Sequence, residues 1–180
     1  MSDEQTAKSV EIREFYNDFV SPRYVRKLVA AMLSSVPPEY LRGLDCVVLT
    51  NHSGAPRRER LGKVTSRKRR VPQGRVLGRY YPAHRGKRPW IELYVDKLAA
   101  AVSVHPMIPL VRTAVFGFVL FHEVGHHIDF TIRPEFREKE DVADEWRKKL
   151  LRRYLFTRYR FPRPVWKVIG WTLKVVARDL

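Results

Sequence analysis

Two histidines four residues apart, with a glutamate beside the first, are the residues of this chain best suited to chemistry: His122-Glu123-Val124-Gly125-His126. In an α-helix a four-residue step rises about 6 Å and turns slightly past one revolution, so His122 and His126 project from one face and can share one metal ion. Glu123 lies one residue round the helix. In the His-Glu-x-x-His pattern the two imidazoles bind zinc and the glutamate serves as general base. Catalytic zinc takes three protein ligands and leaves a fourth position for water, whose pKa falls to about 7. Glu123 would take that water's proton. Gly125 weakens a helix by roughly 1 kcal/mol relative to alanine, which makes sense if another segment must approach closely there. The residues before the pattern, Val111 to Phe121 (VRTAVFGFVLF), are almost wholly apolar. That suits a helix that crosses a core and presents its ligands near its C-terminal end. The competing reading is a helix that happens to contain three histidines, a structural or fortuitous cluster, since a motif with few fixed positions recurs by chance.

A third ligand is expected to be a carboxylate, because no histidine follows His127 and the single cysteine, Cys46, lies far upstream. The downstream acids are Asp129, Glu135, Glu138, Glu140, Asp141, Asp144, Glu145 and Asp179. Glu140 and Asp144 stand out, since one helical turn separates them and puts both on one face. Glu140 can bind the metal while Asp144 accepts the far N–H of a ligand histidine and fixes its ring. Ala143 is small enough to let two helices pack closely. The same segment also reads as an ordinary charged face, with pairs such as Glu145 and Lys149. His127 projects about 100° away from His126 and reads as a packed or hydrogen-bonded histidine, while Tyr154 or Tyr159 could reach the site as an electrophile.

Taken together, His122-Glu123-x-x-His126 and Glu140-x-x-Ala143-Asp144-x-Trp146 resemble the gluzincin arrangement. More narrowly, they are similar to compact ImmA/IrrE-type metallopeptidases, whose second helix carries a Glu-x-x-Ala-(Asn/Asp)-x-aromatic pattern. The metzincin pattern would need Gly at 129 and His at 132, where this chain has Asp129 and Ile132. The resemblance spans roughly Ser21 to Leu155 and rests on the two helical motifs. It implies a hydrolase with one Zn2+ per chain held by His122, His126 and Glu140, with Glu123 as general base. It also implies a peptide or protein substrate, paired to an edge strand of the sheet that precedes the active helix. The His126-to-Glu140 spacer is short for such families, and no motif marks their separate Tyr or His transition-state stabiliser.

The elements that must position these residues define an α+β expectation: a single minimal zincin-like domain over 1–180. It has a small antiparallel or mixed sheet of about three strands on an active-site helix, a glutamate-bearing second helix and a C-terminal amphipathic helix over 165–178. Residues 1–20 read as frayed, or as a short helix carrying Ile12, Phe15, Tyr16 and Phe19. A helix should run from Ser21, as N-cap, to about Ser35. Cys46 to Thr50 reads as the first strand, and residues 51–70 as a mobile basic loop. Val76 to Tyr81 and Trp90 to Val95 read as a hairpin, with the second strand as the candidate edge for an extended peptide. A lone cysteine and an N-terminus without a signal-peptide profile point to the cytoplasm. The apolar region from Leu98 to Phe121 is broken by His105, Pro106, Pro109 and Arg112, which argues against an integral membrane span.

The formal net charge of +16 exceeds what solubility requires and lies chiefly in 57–88 and after Arg147. Such a field attracts nucleic acid, anionic membrane surfaces or acidic protein substrates. It supports a second reading, a basic binding module on a zincin-like scaffold without peptidase activity. Tyr80, Tyr81 and Trp90 among the basic residues suit single-stranded nucleic acid or simple strand packing. No helix-turn-helix, zinc finger or RNA-recognition motif is present.

Overall fold

The computed structural model describes residues 10–52, 63–66, 69–72, 76–102, 109–132 and 140–159. Along the chain come β1 (Glu11–Phe15), α1 (Tyr24–Ser34), a short 3-10 turn (Pro38–Leu41), β2 (Cys46–Thr50), β3 (Lys63–Ser66) and β4 (Arg69–Pro72). They are followed by β5 (Gly78–Tyr81), β6 (Trp90–Tyr94), α2 (Val95–Val102), α3 (Pro109–Ile132) and α4 (Glu140–Arg158). The fold is α+β, with four α-helices among the described residues and a mixed four-stranded sheet in the order β1-β2-β6-β5.

Alternation explains the sheet. In β6, Ile91 and Leu93 are fully buried, and their register partners on β2, Val47 and Leu49, are equally buried. These four residues form the apolar face against the helices, as expected of strands with a side-chain period of two. β1 and β2 run parallel to β6's direction, and β5 pairs with β6 antiparallel. The β5–β6 hairpin closes through mutual backbone bonds between His84 and Lys87. Its two central residues, Arg85 and Gly86, have φ of 47° and 78°, the backbone of a type I′ turn.

Helix α3 crosses the core. Phe116, Leu120, Phe121 and Val124 are completely buried, as are Val25, Val29 and Met32 of α1. α3 packs on α4 along much of its length, and its other side meets β5. There Gly78 is required by space: a Cβ would lie 2.5 Å from Cγ1 of Val119.

Several expectations change. Of the N-terminal stretch, residues 1–9 lie outside the described residues, while Glu11–Phe15 form a strand rather than a helix, because β1 pairs through all five residues with the open edge of β2. The sheet therefore has four strands rather than about three. Helix α1 starts at Tyr24 with Arg23 as its N-cap and no side-chain cap, so Ser21 does not play that part. Trp90–Tyr94, the expected edge strand, is interior, hydrogen-bonded to β2 on one side and β5 on the other. The edge on that side of the sheet is β5. Val95 opens α2 instead of ending the strand. Within the expected basic loop, β3 and β4 pair antiparallel; the rest of that loop from 53 on, and the C-terminal helix expected over 165–178, lie outside the described residues. Among the described residues no helix is long and apolar enough to cross a membrane.

Candidate metal centre

His122 and His126 lie one turn apart in the C-terminal half of α3, and Glu140 opens α4. The Nε2 atoms of the two histidines are 3.1 Å apart, and Oε2 of Glu140 is 3.4 Å from Nε2 of His122. One donor atom from each residue falls within 4.8 Å of the others, so the three could hold a metal ion. The spacing is informative. Zinc bonds of about 2.0–2.2 Å in tetrahedral geometry separate ligand atoms by about 3.3–3.6 Å, and both measured edges lie close to that range. Two imidazoles and a carboxylate also match zinc's preferred donors. Two Nε2 atoms facing each other at 3.1 Å can share only one proton, whereas a cation attracts both lone pairs.

Close helix packing makes the cluster possible. A Cβ on Gly125 would lie 2.6 Å from the carbonyl oxygen of Ala143 and 2.8 Å from its Cα. Glycine on α3 and alanine on α4 thus allow near backbone contact, which brings Glu140, one turn before Ala143, up to His122. The edge-to-face contact of Trp146 with Tyr40, centroids 4.8 Å apart, ties α4 to the turn before β2.

The surrounding groups set the state of the histidines. Oδ1 of Asp144 is 3.0 Å from Nδ1 of His122, leaving Nε2 directed at the cluster. Burial alone would lower the pKa of His122, but Asp144 and Glu140, with the charge of Glu123, push it up to about 9. His126 shifts the other way, held below its ordinary value by burial and by the neighbouring His122. Glu123 is buried, at 7% exposure, with its Cγ on the side of the helix that meets Gly78 of β5. Nη1 of Arg147 lies 2.9 Å from the same Asp144 oxygen, and its guanidinium rests over Phe118, 3.8 Å from the ring centroid.

The structure brings together His122, His126, Glu140 and Asp144, and sets Glu123 beside them. His127 is apart from the cluster. Its Nε2 is 3.1 Å from the carbonyl oxygen of Arg42, which can only accept, so Nε2 carries the proton. Nδ1 then accepts from the hydroxyl of Tyr80 at 3.3 Å. Neither C-terminal tyrosine considered as an electrophile serves the site. Tyr154 packs on Phe121, and Tyr159 bonds Thr113 at 2.9 Å, nine residues and about 13 Å of helix before His122. Of the other acids, Asp129 is buried outside the group and Asp141 and Glu145 are exposed; Glu135, Glu138 and Asp179 lie outside the described residues. Arg147 was the residue that sequence reasoning missed. Its only signal was a position three residues after Asp144 on a helix already dense in arginine and lysine.

No family model, curated protein or solved structure matches this chain.

Proposed function

We propose that the protein is a zinc-dependent metallopeptidase of gluzincin-like design, hydrolysing peptide bonds with water. The observation that carries this reading is the convergence of His122, His126 and Glu140 donor atoms within 4.8 Å, with buried Glu123 beside His122 on α3. His122, His126 and Glu140 would hold the ion. When bound, zinc supplies Lewis acidity, which lowers the pKa of water to about 7 in such sites and polarises a carbonyl. Glu123 accepts the proton of the attacking water and returns it to the leaving amine. Its burial favours this role by keeping competing solvent away from the carboxylate. Asp144, 3.0 Å from Nδ1 of His122, would accept its proton once the ion is bound and keep that ring in the tautomer whose Nε2 lone pair faces the cluster. The edge strand β5 passes Glu123 at Gly78 and offers backbone groups to an extended substrate.

The charge of the site supports a divalent ion. Three carboxylates, Asp144, Glu140 and Glu123, raise the pKa of His122, and the guanidinium of Arg147 contacts Asp144 alone among them, so a net negative charge is left for the ion to balance once both histidines are neutral.

Metal content by elemental mass spectrometry tests the reading. One zinc per chain is expected in the wild type, with a large loss in Glu140→Ala. Glu123→Gln should keep the zinc and lose hydrolysis of a peptide library. A folded wild-type protein that takes up no zinc overturns the proposal. The +16 charge and the exposed basic hairpin tip, with Arg85, Lys87 and Arg88, favour a second role in binding polyanions. Oligonucleotide binding that survives chelation and weakens steeply with salt would establish it.

A further inference from the structure

Arg147 is buried, at 8% exposure. Removing a guanidinium from water costs several kcal/mol unless partners compensate, and here the partners lead straight to the metal centre. Nη1 sits 2.9 Å from Oδ1 of Asp144, and that oxygen sits 3.0 Å from Nδ1 of His122. A single carboxylate oxygen therefore lies between a guanidinium and an imidazole. Phe118, on which Arg147 stacks at 3.8 Å, precedes His122 by one turn of α3, so the arginine bridges the two helices on the side of the ligand histidine.

We propose that Arg147 is a positioning residue for the metal centre: by holding Asp144 it fixes the ring of His122, with Nε2 turned toward His126 and Glu140. The inference rests on the metal-binding reading of the cluster and not on hydrolysis. Asp144 is one turn from Glu140 on the same helix, and a free carboxylate there could swing to the metal as a competing ligand. The guanidinium engages its oxygen and keeps it on Nδ1. Carboxylate partners of ligand histidines are worth about 10–100-fold in metal affinity, and Arg147 acts through such a partner.

Electrostatics alone predicts the opposite sign for its removal, which makes the test sharp. Deleting a positive charge beside a cation site tightens cation binding by Coulomb's law, whereas loss of positioning weakens it. Zinc dissociation constants would be measured by competition with a chromogenic chelator for wild type, Arg147→Met, Arg147→Lys, Asp144→Asn and the Asp144→Asn/Arg147→Met double variant. Arg147→Met should bind zinc about tenfold more weakly, and Arg147→Lys should recover part of the loss. In the Asp144→Asn background, Arg147→Met should add little, because the arginine acts through that carboxylate. The visible spectrum of cobalt-loaded protein, sensitive to ligand geometry, should change in Arg147→Met and return toward wild type in Arg147→Lys. Zinc binding by Arg147→Met as tight as wild type or tighter overturns the inference, as does a full effect that persists beside Asp144→Asn. Should Arg147→Met fail to fold, Arg147→Lys with and without Asp144→Asn decides the same question. A folded wild type that binds no zinc would instead remove the reading on which the inference stands.

Discussion

Among single residues, Glu123 and His122 lead to the clearest expectations. Glu123→Gln keeps the shape of the side chain and removes the carboxylate proposed as base, so on the proposed function peptide hydrolysis should fall by about 10²–10⁴-fold while bound zinc stays near one per chain. Initial rates and metal content on the same preparation check this. His122 governs the ion-free protein. Its folded-state pKa is raised to about 9, so its contribution to stability is complete below its unfolded value of about 6.5 and is lost as pH rises to 9. Urea denaturation of chelator-treated protein should therefore show stability falling between pH 7 and 9, by roughly 1–3 kcal/mol. Asp144→Asn should flatten that slope. These residues were legible in the sequence because helical spacing alone puts positions 122 and 126, and then 140 and 144, on common faces. Arg147 was not, since nothing in a run of basic residues says which one turns inward.

For the elements, the contact of α3 with α4 decides whether the cluster exists. Gly125→Ala would force a methyl group into the backbone of Ala143, 2.6 Å from its carbonyl oxygen. The helices must separate, with an expected loss of about 1–3 kcal/mol and weaker zinc binding, because Glu140 retreats with α4. Thermal unfolding and metal titration of this variant check both effects. The sequence announced this contact: glycine inside an apolar helix and alanine between two acids have a common explanation in close approach. β1 was not announced. Ile12, Phe15, Tyr16 and Phe19 fit a helical period, and only the vacant edge of β2 selects the extended pairing. The same non-local cause hid the edge strand, since the order β1-β2-β6-β5 depends on pairings between segments far apart in the chain.

Over the whole molecule, the charge of +16 should dominate encounters with other macromolecules. If a polyanion binds, its affinity should fall linearly in a log–log plot against salt, with a slope of about −0.7 per phosphate for single strands. Fluorescence anisotropy of a labelled oligonucleotide across a salt series measures it. Zinc should act on the molecule as a whole as well: at free zinc one hundred times the dissociation constant, stability should rise by about 2.7 kcal/mol. Calorimetry with and without chelator reads this rise, which should vanish in Glu140→Ala. Composition and the two helical motifs were enough to expect one α+β unit; the mixed strand directions emerge only from the assembled sheet.

The donors of the centre come from two helices, two from α3 and one from the first turn of α4. An ion held there would work as a staple across that joint. Without it, the first turn of α4 has lost its anchor to a helix that runs through the core. Opening should therefore begin at this end of α4, well before α3 loosens. Amide hydrogen exchange would register the change as faster exchange over residues 140–144 after chelation, with residues 114–124 still protected.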